Sequence, residues 1–284
     1  MIKYGFLHGA FLVNIMGKDL RMELNKEQFE SLHNLVNEVA ERQLKDFGQI
    51  NSELKPDGSL ITSCDRWSDE HIVKGISRIT NDQEGILSEE GSKIIPSTNA
   101  YWVVDPLDGT TNFAAGIPYW AISIARFVEG KPETAILDIP PLKKRIIAIK
   151  NKGVWINSKK RNERAINCKS DCVSVCSRSI SVLQKQPDKR FPGKIRLLGV
   201  SSLNMTSVAT GQTFGALEST PKIWDIAAAW LILLEIGCYI NWLDIDPINL
   251  KKGEDLSSVN FPLIAASSKH GLERLVPWGE ILMK

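Results

Sequence analysis

The sequence predicts a layered α/β sandwich, and three observations support this fold class. Two amphipathic helices precede a run of strands in the first half of the chain, and strands alternate with helices in the second half. The helix predicted at 226–236 is nearly all apolar, so other layers must cover both of its faces. The chain has 284 residues, of which 43% are hydrophobic, and this length suits one or two domains.

The first elements are two helices. Residues 25–47 predict an amphipathic helix in which Asn25 caps the start, and Gln28, three residues later, completes a capping box. Residues 55–59 have the composition of a turn, and a second helix is predicted over about 65–79. The apolar residues expected to face the core are Phe29, Leu32, Val36, Val39 and Phe47 in the first helix and Trp67, Ile72 and Ile76 in the second.

The middle of the chain predicts a meander of strands. Residues 101–105 form a short apolar run that ends in a carboxylate, which is typical of a buried strand. Turn residues at 130–132 and 151–153 separate strands that follow it. These further strands are predicted at 120–128, 134–138, 145–150 and 153–156.

After about residue 165 the alternation of elements starts again. Gly211 and Gly237 are expected to end two helices in this part of the chain. The chain is therefore predicted to form a single domain over residues 25–284, with two α/β halves at about 25–165 and 166–284. The elements of the second half are strands at 173–176, 194–198 and 263–266 and helices at 201–210, 226–236 and 269–275.

Composition excludes several classes of protein. Lys and Arg number 35 against 33 Asp and Glu, and the resulting net charge of +2 predicts no nucleic-acid partner. No apolar run approaches the roughly 20 residues that span a bilayer, so no membrane association is expected. The five cysteines are an odd number in a long chain, which favours a reduced, cytoplasmic setting over a disulfide framework.

Residues 1–24 carry no motif and are predicted to be an N-terminal extension. Much of this segment is apolar, but His8 and Asn14 interrupt it and no cleavage site follows, so its resemblance to a signal peptide is weak. A mis-assigned start codon is the other interpretation, because Met16 and Met22 both precede the first convincing helix.

The strongest chemical signal lies in residues 105–113, which read Asp-Pro-Leu-Asp-Gly-Thr-Thr-Asn-Phe. Asp105 and Asp108 are so close that, once buried, they repel each other unless a cation compensates them. Gly109 permits a close backbone approach to a ligand, and the threonines after it supply hydroxyl oxygens, so the segment suits a hard cation such as magnesium. Taken alone, the segment is explained equally well as a capped tight turn.

Two further groups of acids favour the cation. Glu89 and Glu90 stand next to each other in a loop that follows an apolar approach. Asp225 follows Trp224 at the head of the apolar helix. Each group also has a simpler explanation. Glu89 and Glu90 could form an exposed acidic turn, and Asp225 could lie near the helix N-terminus because the helix dipole favours a negative charge there. The second explanation does not exclude metal ligation.

With these segments the sequence resembles the inositol monophosphatase family of magnesium-dependent phosphatases. The matching segments are residues 88–90, 105–113 and 224–228, with weaker matches at 60–65, 152–157 and 208–211. They occur in family order over about residues 25–280, which makes them more specific than any single motif. The resemblance implies a layered αβαβα sandwich of the inositol monophosphatase and fructose-bisphosphatase type. The departures from the family pattern, which bear on the substrate more than on the chemistry, are Cys64, Val200, Ala229 and Cys238.

The resemblance also implies the roles of individual residues. Two or three Mg²⁺ ions would be held, and the ligands so implied are Glu89, Asp105, the Leu107 carbonyl, Asp108 and Asp225, with the Thr110 hydroxyl completing the set. Glu89 and Thr110 would orient the attacking water, with Asp65 nearby, as the catalytic residues. The substrate-binding residues so implied are Asp108, Gly109, Thr110, Ser201 and Glu218. Lys55 falls near a lysine of the family.

The activity so implied is magnesium-dependent hydrolysis of a small phosphate monoester by a metal-activated water. Residues 110–113 favour inositol monophosphate as that substrate, so the expected partner is a phosphorylated polyol and the expected assembly is a homodimer. A related sugar, histidinol or NADP phosphatase is an alternative within the superfamily. A non-catalytic regulatory binding protein that retains the fold is an alternative from another class, although the intact set of acids argues against it as the sole role.

Overall fold

The structure is a computed structural model that describes residues 24–56, 58–161, 168 and 170–283. The predicted N-terminal extension lies outside the described residues, apart from the buried Leu24. The helices are α1 Lys26–Asp46, α2 Ser63–Thr80, α3 Thr110–Ala114, α4 Ile180–Gln184, α5 Ser201–Ala209, α6 Ile223–Ile236 and α7 Lys269–Leu282. The strands are β1 Ser52–Leu54, β2 Leu60–Thr62, β3 Gly85–Ser88, β4 Ala100–Asp108, β5 Ala121–Val128, β6 Lys131–Ile139, β7 Lys144–Ile149, β8 Gly153–Ile156, β9 Lys159–Arg161, β10 Cys172–Val175, β11 Lys194–Arg196, β12 Gly215–Glu218, β13 Tyr239–Trp242 and β14 Leu263–Ala266.

Two large sheets organise the chain. The first has seven strands in the order β3-β4-β5-β6-β7-β8-β9, and all pairs are antiparallel except β3 with β4. The second has five strands in the order β11-β10-β12-β14-β13 and contains both parallel and antiparallel pairs. β1 and β2 form a separate hairpin. The antiparallel meander predicted from the middle of the sequence is confirmed.

Helices and sheets stack in five layers. α1 and α2 cover one face of the seven-stranded sheet through a shared apolar cluster. α5 and α6 fill the space between the two sheets and bury apolar residues against both. α7 covers the outer face of the five-stranded sheet. The predicted αβαβα sandwich is therefore confirmed.

The central position of α6 explains its apolar composition. Its side chains are buried on nearly every side, so an amphipathic pattern would leave polar groups without water. Near its C-terminal end, Glu235 accepts hydrogen bonds from the amides of Asn151 at 2.8 Å and Gly153 at 2.9 Å, which ties α6 to the β7–β8 turn. Even so, none of the helices within the described ranges is long and apolar enough to cross a membrane.

Capping residues set the starts of α1 and α2. Asn25 Oδ1 accepts from the Gln28 amide at 2.9 Å and Gln28 Oε1 accepts from the Asn25 amide at 3.0 Å, so the predicted capping box is confirmed. α2 begins two residues earlier than predicted, because Thr62 caps it and Asp65 Oδ2 accepts from the Thr62 amide at 2.9 Å. Asp65 therefore lies in the first turn of α2 instead of opening the helix.

Several other predicted boundaries were wrong. α6 begins three residues before the predicted start, at Ile223, and β6 spans Lys131–Ile139 instead of 134–138. β4 continues past Asp105 to Asp108, because Asp108 still pairs with Ala121 after an irregular step in register. β11 ends at Arg196, two residues before the predicted end. α7 runs through Pro277 to Leu282, because its last turns bury Trp278 in the apolar cluster under the five-stranded sheet.

Several elements end at one edge of the sandwich. Because β3 and β4 are parallel, their carboxyl ends lie side by side, and the Glu89 amide donates to the Val104 carbonyl at 3.1 Å. β12 ends at Glu218, and the first turns of α5 and α6 begin at Ser201 and Ile223. This convergence gathers the polar residues described next.

Candidate active site

A cleft of about 400 Å³ opens at this edge of the sandwich. Of the predicted site residues, only Asp65 does not line the cleft, and it lies directly behind Thr110. The predicted site residues that line it are Glu89, Asp105, Leu107, Asp108, Gly109, Thr110, Ser201, Glu218 and Asp225. The fold thus brings together residues from both halves of the chain.

Three carboxylates cluster on one side of the cleft. One oxygen each from Asp105, Asp108 and Asp225 lies within 4.8 Å of the other two. Asp105 is 1% exposed and Asp108 is 9% exposed, so water screens their charges poorly. A backbone amide orients each carboxylate, namely Leu107 for Asp105 at 3.0 Å, Ser202 for Asp108 at 2.7 Å and Lys222 for Asp225 at 2.8 Å.

The electrostatics of this cluster fit a divalent cation. Burial, together with repulsion from neighbouring acids, raises the pKa of Asp105 and of Asp225 well above the usual range. Burial raises the pKa of Asp108 to about 6. None of the ion pairs found among the described residues includes any of the three. A hard cation bound to these oxygens would supply the missing positive charge and return the carboxylates to their ionised form.

Glu89 reaches the cleft from the loop after β3, where it binds Lys55. Lys55 Nζ lies 2.8 Å from Glu89 Oε1 and 2.6 Å from Glu90 Oε1. Burial lowers the pKa of the Lys55 amine, but attraction by the two carboxylates outweighs burial and the net shift is upward. Burial also raises the pKa of Glu89, and Lys55 opposes this shift. The pair ties the β1–β2 hairpin to the cleft.

Asp65 and Thr110 form a hydrogen-bonded pair. Thr110 Oγ1 donates to Asp65 Oδ1 at 2.7 Å and lies 3.2 Å from the Leu107 carbonyl oxygen. The second oxygen of Asp65 is held by the Thr62 cap of α2. Because the Thr110 hydroxyl donates to a carboxylate, its lone pairs remain able to accept a hydrogen bond at the cleft wall.

Gly109 makes the turn from β4 into α3 possible. Its φ of 104° lies in the left-handed region that favours glycine. A Cβ at this position would lie 2.8 Å from Val200 Cγ2 at the start of α5. Any larger residue would therefore strain the backbone and push apart the two segments that carry Asp108 and Ser201.

Glu218 lies on the other side of the cleft at the end of β12, where it is 1% exposed. Asn204 Nδ2 donates to its Oε1 at 2.7 Å and Ser201 Oγ donates to its Oε2 at 3.0 Å. Burial raises the pKa of Glu218 to about 8, and these two hydrogen bonds oppose the shift. Ser201 and Glu218, which the sequence identified separately, therefore contact each other.

Comparison with known proteins establishes the family. Residues 23–271 match the inositol monophosphatase family. The chain belongs to this family. A relative from Pasteurella multocida, named Nus factor SuhB, is 30% identical over 198 residues, which cover 66% of this chain and 73% of that protein. The inositol-1-monophosphatase of Mesorhizobium japonicum is 26% identical over 211 residues, which cover 70% of this chain and 79% of that protein.

A solved inositol monophosphatase shares the fold. The structure of the Thermotoga maritima IMPase TM1415 matches this chain with a TM-score of 0.75 at 23% identity, covering 90% of this chain and 98% of that one. At this level of identity the likeness establishes the architecture, and it agrees with the αβαβα sandwich described above.

Sequence reasoning missed several residues that line the cleft of this inositol monophosphatase family member. They are Ser59, Cys176, Ser177, Arg178, Asn204 and Thr220. Cys176 and Thr220 follow the carboxyl ends of β10 and β12, just as Glu89 follows β3. Position after a strand was thus a signal for these residues, but β12 was not predicted, and β10 was predicted at 173–176, one residue past its actual end at Val175.

Proposed function

We propose that this protein hydrolyses a small phosphate monoester, with inositol monophosphate as its substrate and Mg²⁺ as its cofactor. The observation that carries the proposal is the cluster of buried Asp105 and Asp108 with half-buried Asp225, in which one oxygen from each lies within 4.8 Å of the other two. Membership of the inositol monophosphatase family supports the same reaction class. A cluster of like charges destabilises the fold unless a cation compensates it, and such clusters are concentrated at functional sites.

The acids of the cleft would hold the metal. Asp105, Asp108 and Asp225 supply carboxylate oxygens at its floor, and Glu89 supplies another from the loop after β3. The Leu107 carbonyl and the Thr110 hydroxyl lie 3.2 Å apart at the same wall, and we propose two or three ions within this set. Mg²⁺ bound here would lower the pKa of a water and offset negative charge on the phosphoryl group and the leaving alkoxide.

The residues of the chain orient the attacking water. The Thr110 hydroxyl donates to Asp65, so it can accept a hydrogen bond from a water in the cleft. The hydrogen bond to Asp65 fixes the direction of that acceptor, because the Thr62 cap holds the carboxylate in turn. Because Asp65 accepts the hydrogen bond from the Thr110 hydroxyl, it can also receive a proton that the water passes on through this hydroxyl. Glu89, which lines the same cleft as Thr110, would complete the orientation of the water.

Recognition of the substrate divides between two regions of the cleft. The phosphate binds beside Asp108, at the amides of Gly109 and Thr110, where the chain turns from β4 into α3. The alcohol part binds beside Ser201 and Glu218, since a buried carboxylate is a strong acceptor for hydroxyl groups.

Release of inorganic phosphate tests the proposal. The purified protein should release phosphate from inositol 1-phosphate with Mg²⁺ and stop when EDTA removes the metal. Asp225→Asn should abolish turnover while its circular dichroism spectrum stays that of the wild type. Asp244→Asn, at an exposed aspartate outside the cleft, is the matched control and should keep full activity. Turnover by Asp225→Asn at the wild-type rate would contradict the assignment.

A panel of phosphate monoesters separates the alternative substrates. Sugar, histidinol and NADP phosphates all carry a phosphate ester that can be cleaved. They differ in the alcohol part, which we assign to the side of the cleft with Ser201 and Glu218. We expect the highest kcat/KM for inositol monophosphate. A higher value for another ester would keep the reaction class and replace the substrate.

A regulatory binding role is the second candidate, because the Pasteurella multocida relative is named a Nus factor. This role predicts that the protein releases phosphate from no ester. It does not explain why Asp105, Asp108 and Asp225 lie together in the cleft. The homodimer, the single domain and the cytoplasmic location stay predictions. Light scattering of the purified protein tests the first of these directly.

A further inference from the structure

Gln43 is a polar residue at a core-facing position of α1. Its side chain is completely buried and continues the face of the helix that buries Phe29 and Val36. An apolar residue is expected at such a position, because burying an amide costs free energy unless its polar atoms are hydrogen-bonded. A residue that departs from the local pattern in this way is often tied to function.

Both ends of the Gln43 side-chain amide have partners inside the core. Nε2 donates to the Pro106 carbonyl at 2.8 Å and to Ser68 Oγ at 3.2 Å. Oε1 accepts from Trp120 Nε1 at 3.1 Å. Ser68 and Trp120 are completely buried as well, so these bonds form behind the cleft, away from water. The amide therefore links α1 to α2, to the end of β4 and to the start of β5.

The Pro106 carbonyl lies where the pairing of β4 is irregular. β4 pairs with β5 through Asp105 and Asp108, and the register shifts between these two residues. Because proline has no N–H, its carbonyl is its single backbone group that can form a hydrogen bond. Gln43 thus holds the strand at the step that separates the two acids.

This contact bears directly on the orientation of Asp105. The Pro106 carbonyl and the Leu107 amide belong to one trans peptide group, so the C=O and N–H bonds point in opposite directions. The Leu107 amide donates to Asp105 Oδ1 at 3.0 Å. By holding the carbonyl, Gln43 fixes the direction of the N–H group that orients the Asp105 carboxylate.

We propose that Gln43 is a positioning residue for the cation, acting on the Asp105 carboxylate through the Pro106–Leu107 peptide group. The Leu107 carbonyl, which we also assign to the cation, follows directly after this peptide group. The role rests on the proposed function, in which Asp105 binds Mg²⁺. Groups that hold metal ligands in place typically contribute about 10- to 100-fold to metal affinity.

Isothermal titration of Mg²⁺ into three variants tests this role. Gln43→Met keeps much of the volume of the side chain and removes its hydrogen bonds. Ser68→Ala removes one partner of Gln43 and leaves the contact with Pro106 in place. Gln28→Met is the matched control, because Gln28 is a glutamine of the same helix whose Nε2 donates to the Ile79 carbonyl at 3.0 Å, outside the cleft.

We expect Gln43→Met to bind Mg²⁺ about 10- to 100-fold more weakly than the wild type, and both other variants to stay within about threefold of it. The Mg²⁺ concentration for half-maximal phosphate release from inositol 1-phosphate should rise by the same factor in Gln43→Met. Its circular dichroism spectrum should stay that of the wild type.

A measurement on the wild type covers the case in which Gln43→Met does not fold. With isotope-labelled glutamine, the NMR signal of the Gln43 side-chain amide should shift as Mg²⁺ is added. The reason is that the chain of hydrogen bonds from Asp105 through the peptide group to Gln43 becomes polarised when a cation binds the carboxylate. The Gln28 signal should stay unchanged, and a Gln43 signal that does not move would overturn the inference.

Wild-type Mg²⁺ affinity in Gln43→Met would also overturn the inference, even if the variant unfolded at a lower temperature. Gln43 would then only stabilise the core, and the proposed function would stand, because it depends on Mg²⁺ binding by the wild type. A wild type that binds no Mg²⁺ would overturn the proposed function and this inference together.

Discussion

Asp138 on β6 and Asp105 on β4 are both 1% exposed within the same seven-stranded sheet, yet their surroundings are opposite. Asp138 Oδ1 accepts from Arg145 Nε at 2.7 Å, and burial raises its pKa while Arg145 opposes the shift. Asp105 faces Asp108 and Asp225, so burial and repulsion raise its pKa together. One acid has its cation built into the sheet and the other does not.

This difference separates structural acids from functional ones. Arg145 balances the charge of Asp138 within the sheet, so Asp138 needs no cation from outside the chain. The cluster around Asp105 lacks a comparable partner among the described residues and is stable only when it is protonated or when a cation enters. The comparison therefore identifies the place where the fold depends on a ligand.

The largest expected effect is on turnover by Asp105→Asn. Removing one carboxylate from the cluster should lower kcat by about 10²- to 10³-fold, the scale seen when one electrostatic contact to a transition state is lost. The same variant should unfold at the same or a higher temperature without Mg²⁺, because it relieves repulsion between like charges. Phosphate release and thermal unfolding without Mg²⁺ measure the two effects. A variant that loses both activity and metal-free stability would make Asp105 a structural acid like Asp138.

Asp138→Asn should show the reverse behaviour. It leaves the Arg145 guanidinium buried without its carboxylate, which should lower the free energy of unfolding by about 3–5 kcal/mol. Activity measured well below the melting temperature should stay within about threefold of the wild type, since Asp138 lies outside the cleft. Urea unfolding with exposed Asp244→Asn as control checks the prediction, and an unchanged midpoint would refute it.

Glu218 represents a third kind of buried acid, because neutral donors hold it. At a pH above about 8, where the Glu218 carboxyl is ionised, Glu218→Gln should lower kcat/KM for a polyol phosphate by about 10- to 100-fold, equivalent to a lost hydrogen bond of about 1.5–3 kcal/mol to a charged group. An aryl phosphate without hydroxyls should be much less affected. Equal losses on the two substrates would show that Glu218 supports the fold or the metal site instead of binding the alcohol.

The smallest expected effect is a dependence of stability on pH through His33. Its Nδ1 lies 3.0 Å from Arg145 Nη1, and burial, followed by repulsion from Arg145, lowers its pKa well below 6.5. The unfolded chain therefore binds a proton that the folded chain does not, and stability is lost as the pH falls below 6.5. Between pH 7.5 and 5.5 the loss should be about 1.4 kcal/mol.

His33→Gln is the matched variant for this effect, since the amide can accept from Arg145 without titrating. Urea unfolding of both proteins at the two pH values isolates the contribution of His33. Equal losses of stability in the two proteins on acidification would mean that other groups carry the pH dependence.

Local signals in the sequence were enough to predict much of the fold. The Asn25 capping box and the apolar face of α1 are short-range features, and the structure contains both. Asp105 was predicted because it ends a predicted strand and Asp225 because it begins a predicted helix, whereas the role of Glu218 was implied only by the family resemblance. The meander was predicted because its turns are marked by glycine and asparagine at 151–153.

The remainder depends on contacts between distant segments. β12 and β13 are only four residues each, and no local sequence pattern predicts them. They are strands because they pair with other strands in the five-stranded sheet. Asn204 lines the cleft because α5 packs beside β12, and only tertiary structure sets its contact with Glu218. The partner of Asp138 likewise comes from strand pairing, because β6 and β7 place Asp138 opposite Arg145.

Binding of Mg²⁺ itself tests the central claim most directly. Isothermal titration of Mg²⁺ into the wild type, Asp105→Asn and Asp138→Asn compares the two kinds of acid in one experiment. We predict that the wild type and Asp138→Asn bind Mg²⁺ with affinities within about threefold of each other, and that Asp105→Asn loses at least about tenfold. Equal binding by Asp105→Asn and the wild type would contradict the claim that the cluster of Asp105, Asp108 and Asp225 holds the cation.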